Sequence, residues 1–417
     1  MGFSSLGLHS SLVLAASQAG YQAPTPIQTQ AIPSILAKKD IMAGAQTGTG
    51  KTAAFALPIL HMLHAPISTT EANEKAVVRA LVLTPTRELC QQVYNSFVKY
   101  GTNSAVNLAI AYGGVSLLPQ IKMLEKGGDI LVATPGRLLD LLSKNIIDLS
   151  SLEVLVFDEA DRMLDMGFIT DINRILKRVP ASRQTLLFSA TFDEAIFKLS
   201  QKLLKDPELI EVDERNTAAT EVEQVVYNVD ADRKRELVSY LVGSKNWKQV
   251  LIFTRTKQGA DDLAKEMCKD GLKTVAIHGD KSQGAREKAL LEFKEGKVRV
   301  LVATDVAARG LDIPELQYVI NYELPYIAED YIHRIGRTGR AGSSGLAISL
   351  LAAEENYLLE EVEAVLGDRL PQQWFAGFEP DLTKEPVSNK KNSKSAQKRR
   401  AKERAYGKST ANKRRRQ

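Results

Sequence analysis

Two tandem α/β domains, each built on a parallel sheet covered on both faces, are the fold this sequence predicts, followed by a basic tail too polar to fold. Three observations predict it. Apolar, β-rich runs of strand length recur with helix-length segments between them: Ile41–Ala43, Ala80–Leu83, Ile130–Ala133, Val154–Phe157 and Thr185–Phe188 in the first half, then Val250–Phe253, Thr274–Ile277, Val300–Ala303, Tyr318–Ile320 and Leu346–Leu350. Runs that are apolar throughout, rather than at every second residue, belong to strands buried on both faces of a parallel sheet. The halves also echo each other: Leu131-Val132-Ala133-Thr134 returns as Leu301-Val302-Ala303-Thr304, and Leu81, Thr84 and Thr86 return as Leu251, Thr254 and Thr256, both at an offset of 170. Two echoes in one register indicate a duplicated domain. The third observation is charge. Residues 388–417 carry 13 Lys and Arg against Glu403 alone, a net +12, while the remaining chain is −7.

The predicted organisation is an N-terminal segment over residues 1–30, a first α/β domain over 31–208 and a linker over 209–222, where Pro207 and the polar run Asp213–Thr217 interrupt the strand–helix rhythm. A second α/β domain over 223–370, an extension over 371–387 and the tail over 388–417 complete the chain. With few apolar residues, the tail cannot bury a core and reads as a disordered arm suited to polyanions.

The bulk properties exclude several classes. Cys90 and Cys268 lie far apart without metal-ligand spacing, and read as buried thiols in a reducing compartment. No stretch approaches the roughly 18 apolar residues of a membrane span. Leu12–Ala16 resembles a short signal core, but the first charged residue is Lys38, so it reads as an amphipathic helix of a soluble, cytoplasmic protein.

Two elements carry chemistry together. Ala45-Gln46-Thr47-Gly48-Thr49-Gly50-Lys51-Thr52 joins an apolar strand to a helical run. A glycine-rich turn into a helix N-terminus points N–H groups at an anion; Lys51 reaches the β- and γ-phosphates, and Thr52 suits Mg²⁺. Ala45 stands where the G-x-x-x-x-G-K-[ST] pattern has glycine, and an ordinary loop-to-helix turn would also fit. The second element decides: Val154–Phe157 delivers Asp158-Glu159-Ala160-Asp161 at a strand's carboxyl end, where α/β sheets bind ligands. Asp158 can hold Mg²⁺ opposite Thr52, and Glu159 can orient a water for in-line attack on the γ-phosphate. The second domain has no such loop. It has His333-Arg334-Ile335-Gly336-Arg337-Thr338-Gly339-Arg340, whose guanidinium forks suit phosphate and read as fingers offered across a cleft between the two domains.

The chain resembles the DEAD-box RNA helicases, two-domain RecA-like ATPases, over nearly its whole length up to about residue 380. The motifs run in order: Gly20–Gln28 with Phe3 upstream, Ala45–Thr52, Pro85-Thr86-Arg87-Glu88-Leu89, Gly113-Gly114, Thr134-Pro135-Gly136-Arg137, Asp158–Asp161, Ser189-Ala190-Thr191, Gln283-Gly284-Ala285-Arg286, Ala303–Asp305 through Arg309–Asp312, and His333–Arg340. Met163–Phe168 and Asn321–Pro325 are most similar to the bacterial RhlE-like branch. The resemblance implies that residues 1–30 read adenine, with Gln28 on its edge and Phe3 stacked on the ring. It implies that Gln46, Thr47, Gly48, Thr49, Gly50, Lys51 and Thr52 bind ATP, that Asp158 and Thr52 hold Mg²⁺ largely through water, and that Glu159 serves the attacking water. Arg337 and Arg340 would meet the γ-phosphate and Asp305 the ribose. Ser189, Thr191, Asp161 and His333 would couple hydrolysis to closure. RNA would lie against Pro85, Thr86, Arg87, Gly113, Gly114, Thr134, Pro135, Gly136 and Arg137 of the first domain, and Arg255, Gln283, Arg286 and Thr304 of the second. Such loops grip phosphates and do not read sequence.

The expected function is ATP-driven, local separation of RNA duplexes or remodelling of ribonucleoproteins by a monomeric core, in ribosome assembly or RNA turnover, with ribosomal precursors or RNA-decay machinery as partners. An ATP-gated RNA clamp with little unwinding is the rival reading.

Overall fold

The computed structural model describes residues 2–44, 49–63, 76–102, 104–190, 192, 194–211, 222–308, 313, 316–339 and 345–383. The chain divides into two units, Met1–Glu214 and Arg215–Gln417.

In the first unit, seven strands form one sheet: β1 (Ile41–Gly44), β3 (Ala80–Leu83), β4 (Leu108–Ala111), β5 (Ile130–Ala133), β7 (Val154–Phe157), β8 (Gln184–Ser189) and β9 (Glu208–Glu211). Their order is β4-β5-β3-β7-β8-β1-β9, and every pair is parallel. Two short strands, β2 (Ala76–Val77) and β6 (Ile147–Asp148), pair separately. Successive side chains point to opposite faces, so each apolar run serves two cores. Ile41, Ala43, Val82, Val132, Val156 and Phe188 pack beneath the helices Pro26–Leu36, Lys51–Met62 and Arg87–Tyr100, whereas Met42, Leu81, Leu83, Leu131, Phe157 and Leu187 face the other layer. The helix Ser10–Gln18 buries Leu12, Ala15 and Ala16 in the first of these cores.

The second unit repeats this plan. Its strands are β10 (Val222–Asn228), β11 (Val250–Thr254), β12 (Thr274–Ile277), β13 (Val300–Thr304), β14 (Tyr318–Asn321), β15 (Gly345–Leu351) and β16 (Gln372–Trp374), in the order β12-β13-β11-β14-β15-β10-β16, all parallel. Position by position this is the same permutation. The echoed segments are adjacent strands in the same register: Leu81 pairs with Leu131, and Leu251 with Leu301. The threonine repeat is a helix cap used twice. Thr86 accepts from the Leu89 N–H at 3.3 Å, Thr256 from the Gly259 N–H at 3.0 Å, and Thr84 and Thr254 each donate to the carbonyl two residues on.

Three expected boundaries shift. β9 begins at Glu208 and pairs with β1, so the first sheet extends into the stretch read as linker. β16 pairs with β10, making residues 372–374 an edge of the second sheet rather than an extension beyond it. The helix Pro26–Leu36 crosses the expected division at residue 30, because its apolar face belongs to the first core. Cys90 is buried, which pushes its thiol up to about 12, but Cys268 lies on the outer face of the helix Lys257–Lys269 and is exposed. No helix among the described residues is long and apolar enough to cross a membrane.

Candidate functional site

All strands of the first sheet are parallel, so their carboxyl ends lie along one edge, and the predicted residues collect there. Near β1 the chain turns through Gly50 at φ 91°, a conformation that only glycine adopts without strain. A Cβ there would also lie 2.3 Å from Gln28 Nε2. Lys51 opens the next helix. It is buried, and its Nζ has no hydrogen-bond partner among the described residues. Gln46, Thr47 and Gly48 fall outside the described residues; Thr52 is half-buried in the first helical turn.

At the end of β7, Asp158 donates its N–H to Leu83 O at 3.0 Å and buries its carboxyl. Burial pushes that carboxyl up to about 7, Lys51 pulls it back, and Glu159 and Asp161 push it higher. Asp158 Oδ1 has no hydrogen-bond partner among the described residues. An unmet ammonium and an unmet carboxyl oxygen, both enclosed, are costly in a finished core and apt at a ligand site. Glu159 follows at φ 56°, ψ 55°, in the left-handed region, and caps the helix Ala160–Asp165. A non-glycine residue there stores roughly 1–3 kcal/mol of strain, a feature concentrated at functional positions. Asp161 is raised by burial and partly restored by Arg162. Ser189 is fully buried at the end of β8, and Thr191 lies outside the described residues.

Further along the same edge, β4, β5 and β3 end in the loops expected to hold RNA. They brace one another. A Cβ on Gly114 (φ 80°) would sit 1.9 Å from Arg87 Nη1. Arg137 donates to Val115 O and to Gln120 Oε1, both at 2.9 Å, and Gln120 donates to Tyr112 O at 3.0 Å. The Arg137 guanidinium therefore fixes the Gly113-Gly114 loop from behind. Thr86 caps the helix that follows it, and Thr134 precedes the helix that Pro135 and Gly136 open.

The residues expected to read adenine are enclosed in this structure. Gln28 is fully buried; its Oε1 accepts from the Thr25 N–H at 3.0 Å and its Nε2 donates to Gly50 O at 3.1 Å, which ties the segment to the phosphate loop. Phe3 sits in the core, 5.9 Å from the Tyr21 ring, so it can offer adenine only part of a face.

In the second unit the predicted residues also meet at strand ends, but Asp305 and Arg255 are bound there to neighbours outside the predicted set. Asp305, after β13, receives both forks of Arg334, at 2.6 and 2.9 Å. Arg334 is itself buried, donates to Asn321 Oδ1 and Glu323 O, and lies over the Phe253 ring. His333, Arg337 and Asp330 line the same small cavity, and Arg340 lies outside the described residues. Arg255 stacks over Tyr326 and pairs with Glu323 at 3.1 Å and Glu355 at 2.6 Å; burial works against its charge, and these two carboxylates hold the guanidinium above its ordinary range. Gln283 and Arg286 stand in the first turn of the helix Gln283–Lys294, and Thr304 ends β13.

Sequence reasoning missed the residues that hold the predicted ones: Arg334 for Asp305, Glu323 and Glu355 for Arg255, and Arg162 beside Glu159. The expectation that the Arg334 fork faces phosphate with the rest of His333–Arg340 fails, because the helix Glu329–Ile335 buries it against Asp305.

Comparison with known proteins agrees with this geometry. Residues 25–199 match the DEAD/DEAH box helicase family and residues 233–342 the helicase conserved C-terminal domain. The ATP-dependent RNA helicase CshA of Listeria monocytogenes is 43% identical over 88% of this chain and 69% of its own. The DEAD-box ATP-dependent RNA helicase RhpA of Helicobacter pylori is 42% identical over 85% and 70%. Among solved structures, Dbp5 of S. cerevisiae bound to RNA and ADP BeF3 is similar at a TM-score of 0.79 and 30% identity, over 89% of this chain and 95% of that one. Mss116p bound to ssRNA and AMP-PNP gives 0.78 and 30%, over 89% and 78%. With two RecA-like sheets, Lys51 at the start of its helix and the Asp158–Asp161 quartet at the end of β7, the chain belongs to the DEAD-box ATP-dependent RNA helicases, a family of RNA-stimulated ATPases.

Proposed function

We propose that ATP is hydrolysed at the β1, β7 and β8 ends of the first unit while single-stranded RNA is gripped at the β3, β4 and β5 ends. The observation that carries this reading is the enclosed pair Lys51 Nζ and Asp158 Oδ1, each without a hydrogen-bond partner among the described residues, beside the strained Glu159. Lys51 binds the β- and γ-phosphates. Glu159 orients the attacking water, and Arg337 and Arg340 stabilise charge on the transferring group. Gln28, Phe3 and Asp305 complete nucleotide recognition, and Ser189, Thr191, Asp161 and His333 couple hydrolysis to RNA release. Differential affinity supplies the work: the ATP-bound state prefers a bent single strand, and hydrolysis removes that preference.

The donor set fits Mg²⁺. Thr52 and Asp158 offer hard oxygens, and a magnesium site takes one or two protein oxygens together with phosphate and water. Mg²⁺ would supply charge neutralisation of the phosphates there. This chain's part is to keep the Asp158 carboxyl buried and aimed, with Lys51 favouring its ionised form.

RNA is gripped through its backbone by Pro85, Thr86, Gly113, Gly114, Thr134, Pro135 and Gly136, with Arg87 and Arg137 shaping those loops, and by Arg255, Gln283, Arg286 and Thr304. The setting we propose is bacterial and cytoplasmic, a monomeric core acting on ribosomal precursors or with RNA-decay machinery. RNA-stimulated, multiple-turnover ATPase together with displacement of a short RNA strand tests the reading. Glu159→Gln should keep ATP and RNA binding and lose turnover. Near-normal steady-state ATPase in that variant would remove Glu159 from the chemistry, and tight RNA retention without strand displacement by the unaltered chain would make it an ATP-gated clamp.

A further inference from the structure

Arg162 is a buried cation that the site described above leaves without a task. It stands in the first turn of the helix Ala160–Asp165 and is 2% exposed. Its Nη1 lies 3.2 Å from Glu159 Oε2, with both side chains enclosed. Neither Nη1 nor Nη2 has a hydrogen-bond partner among the described residues. A guanidinium cannot shed its proton, and enclosing one this sparsely paired is expensive for folding. Packing does not account for it, because an apolar pair in place of Arg162 and Glu159 would fill the space without that cost.

Glu159 supplies the reason. Its backbone is held in the left-handed region, which aims Cβ in an unusual direction. The carboxylate beyond it still has rotatable torsions that must be fixed if a water is to be placed. Arg162 is three residues on, on the same face of the turn, where a guanidinium and a carboxylate meet. Resting on the reading of Glu159 as the group that orients the attacking water, we propose that Arg162 is a positioning residue for hydrolysis. It fixes the direction in which Glu159 presents its carboxylate and has no contact with the nucleotide. Its enclosure keeps water from loosening that grip.

Steady-state RNA-stimulated ATPase and thermal unfolding of the full chain test this, with Arg162→Met, Arg162→Lys, Glu159→Gln and the double variant Arg162→Met/Glu159→Gln. Arg162→Met should lower kcat about 10²-fold, the scale on which misplacement of a catalytic group is felt. The KM for ATP and the half-stimulating RNA concentration should stay within about two-fold, the pattern of an interaction made only in the transition state. Tm should fall in Arg162→Met, since the enclosed Glu159 carboxylate loses its counter-charge, and should recover in the double variant, where both charges are gone. Arg162→Lys should recover part of kcat. In the double variant the Arg162 change should cost nothing beyond Glu159→Gln, because the two residues act as a unit. Unchanged kcat in Arg162→Met, additive losses in the double variant, or a raised KM for ATP with kcat intact would each overturn the proposal. If Arg162→Met fails to fold, Arg162→Lys decides. Its lost fork predicts about a 10-fold fall in kcat at an unchanged KM, and full activity refutes the role. Normal turnover in Glu159→Gln would instead refute the reading of Glu159 itself.

Discussion

The two units share one strand permutation and one threonine cap, yet treat the polar groups at their strand ends in opposite ways. In the first unit, Lys51 Nζ and Asp158 Oδ1 are enclosed and unmet among the described residues. In the second, Asp305 is clasped by Arg334, and Arg255 by Glu323 and Glu355, with Lys234 buried against Glu355. The fold provides an edge where backbone ends and side chains converge; what differs is whether those side chains satisfy one another or wait for a ligand. A duplicated scaffold thus carries a reactive copy, destabilised at its edge, and a copy whose β11 and β13 ends are internally neutralised.

The strongest way to break that contrast is to show that the second unit does chemistry too. Arg340→Ala should cost roughly 10³-fold or more in kcat, the scale of a lost arginine finger, with ATP affinity little changed. Turnover that holds at saturating RNA, with weakened RNA binding instead, would return Arg340 to a gripping role.

Next in size is the cost of the unmet edge. The Asp158 carboxyl sits at about 7 against an ordinary 3.8. Between those values the folded protein keeps a proton that the unfolded chain has lost, so this group's contribution to stability falls as pH rises from about 4 to 7 and stays low above. Without nucleotide or metal, Asp158→Asn should therefore leave stability unchanged near pH 4 and raise it at pH 8, by an amount on the order of 2 kcal/mol, while abolishing ATPase. Urea denaturation at pH 4, 6 and 8 measures it. A gain that does not vary with pH would assign the effect to packing.

The smallest effect compares the two caps. Thr86→Ala and Thr256→Ala should each cost about 1 kcal/mol. The buried Thr86 should cost more than the exposed Thr256, because its Leu89 N–H partner loses access to water. Equal losses in denaturant would show that burial at this position is energetically silent.

Legibility in the sequence followed locality. β3, β5 and β7 stand where their apolar runs place them, since a run buried on both faces leaves an unbroken trace. β9 is Glu-Leu-Ile-Glu and β16 Gln-Gln-Trp, largely exposed edge strands, and β10 is interrupted by Glu223 and Gln224; none leaves such a run. β4 is half alanine and reads weakly as a strand. At the site, Lys51, Asp158 and Glu159 were legible because the chemistry is written in contiguous residues. The ion pairs that hold the site join positions 29, 68 and 100 residues apart, as in Arg334–Asp305, Arg255–Glu323 and Arg255–Glu355, and one sequence shows no trace of such pairing.

The position of β1 in its sheet has a consequence for how the chain is made. Ile41 pairs with Leu186 and Glu208, so the strand that leads into the phosphate loop finds its first neighbour about 145 residues later. At 5–20 residues per second, a ribosome takes roughly 7–30 seconds to deliver that neighbour. β10 repeats the delay, with both its partners, β15 and β16, at the far end of the second unit. Each half of a nascent chain therefore holds its founding strand unpaired until the half is nearly complete. The sheet that carries ATP competence closes only at the end of the first unit's synthesis, and a ribosome stalled before residue 184 displays β1 with no neighbour to hold it.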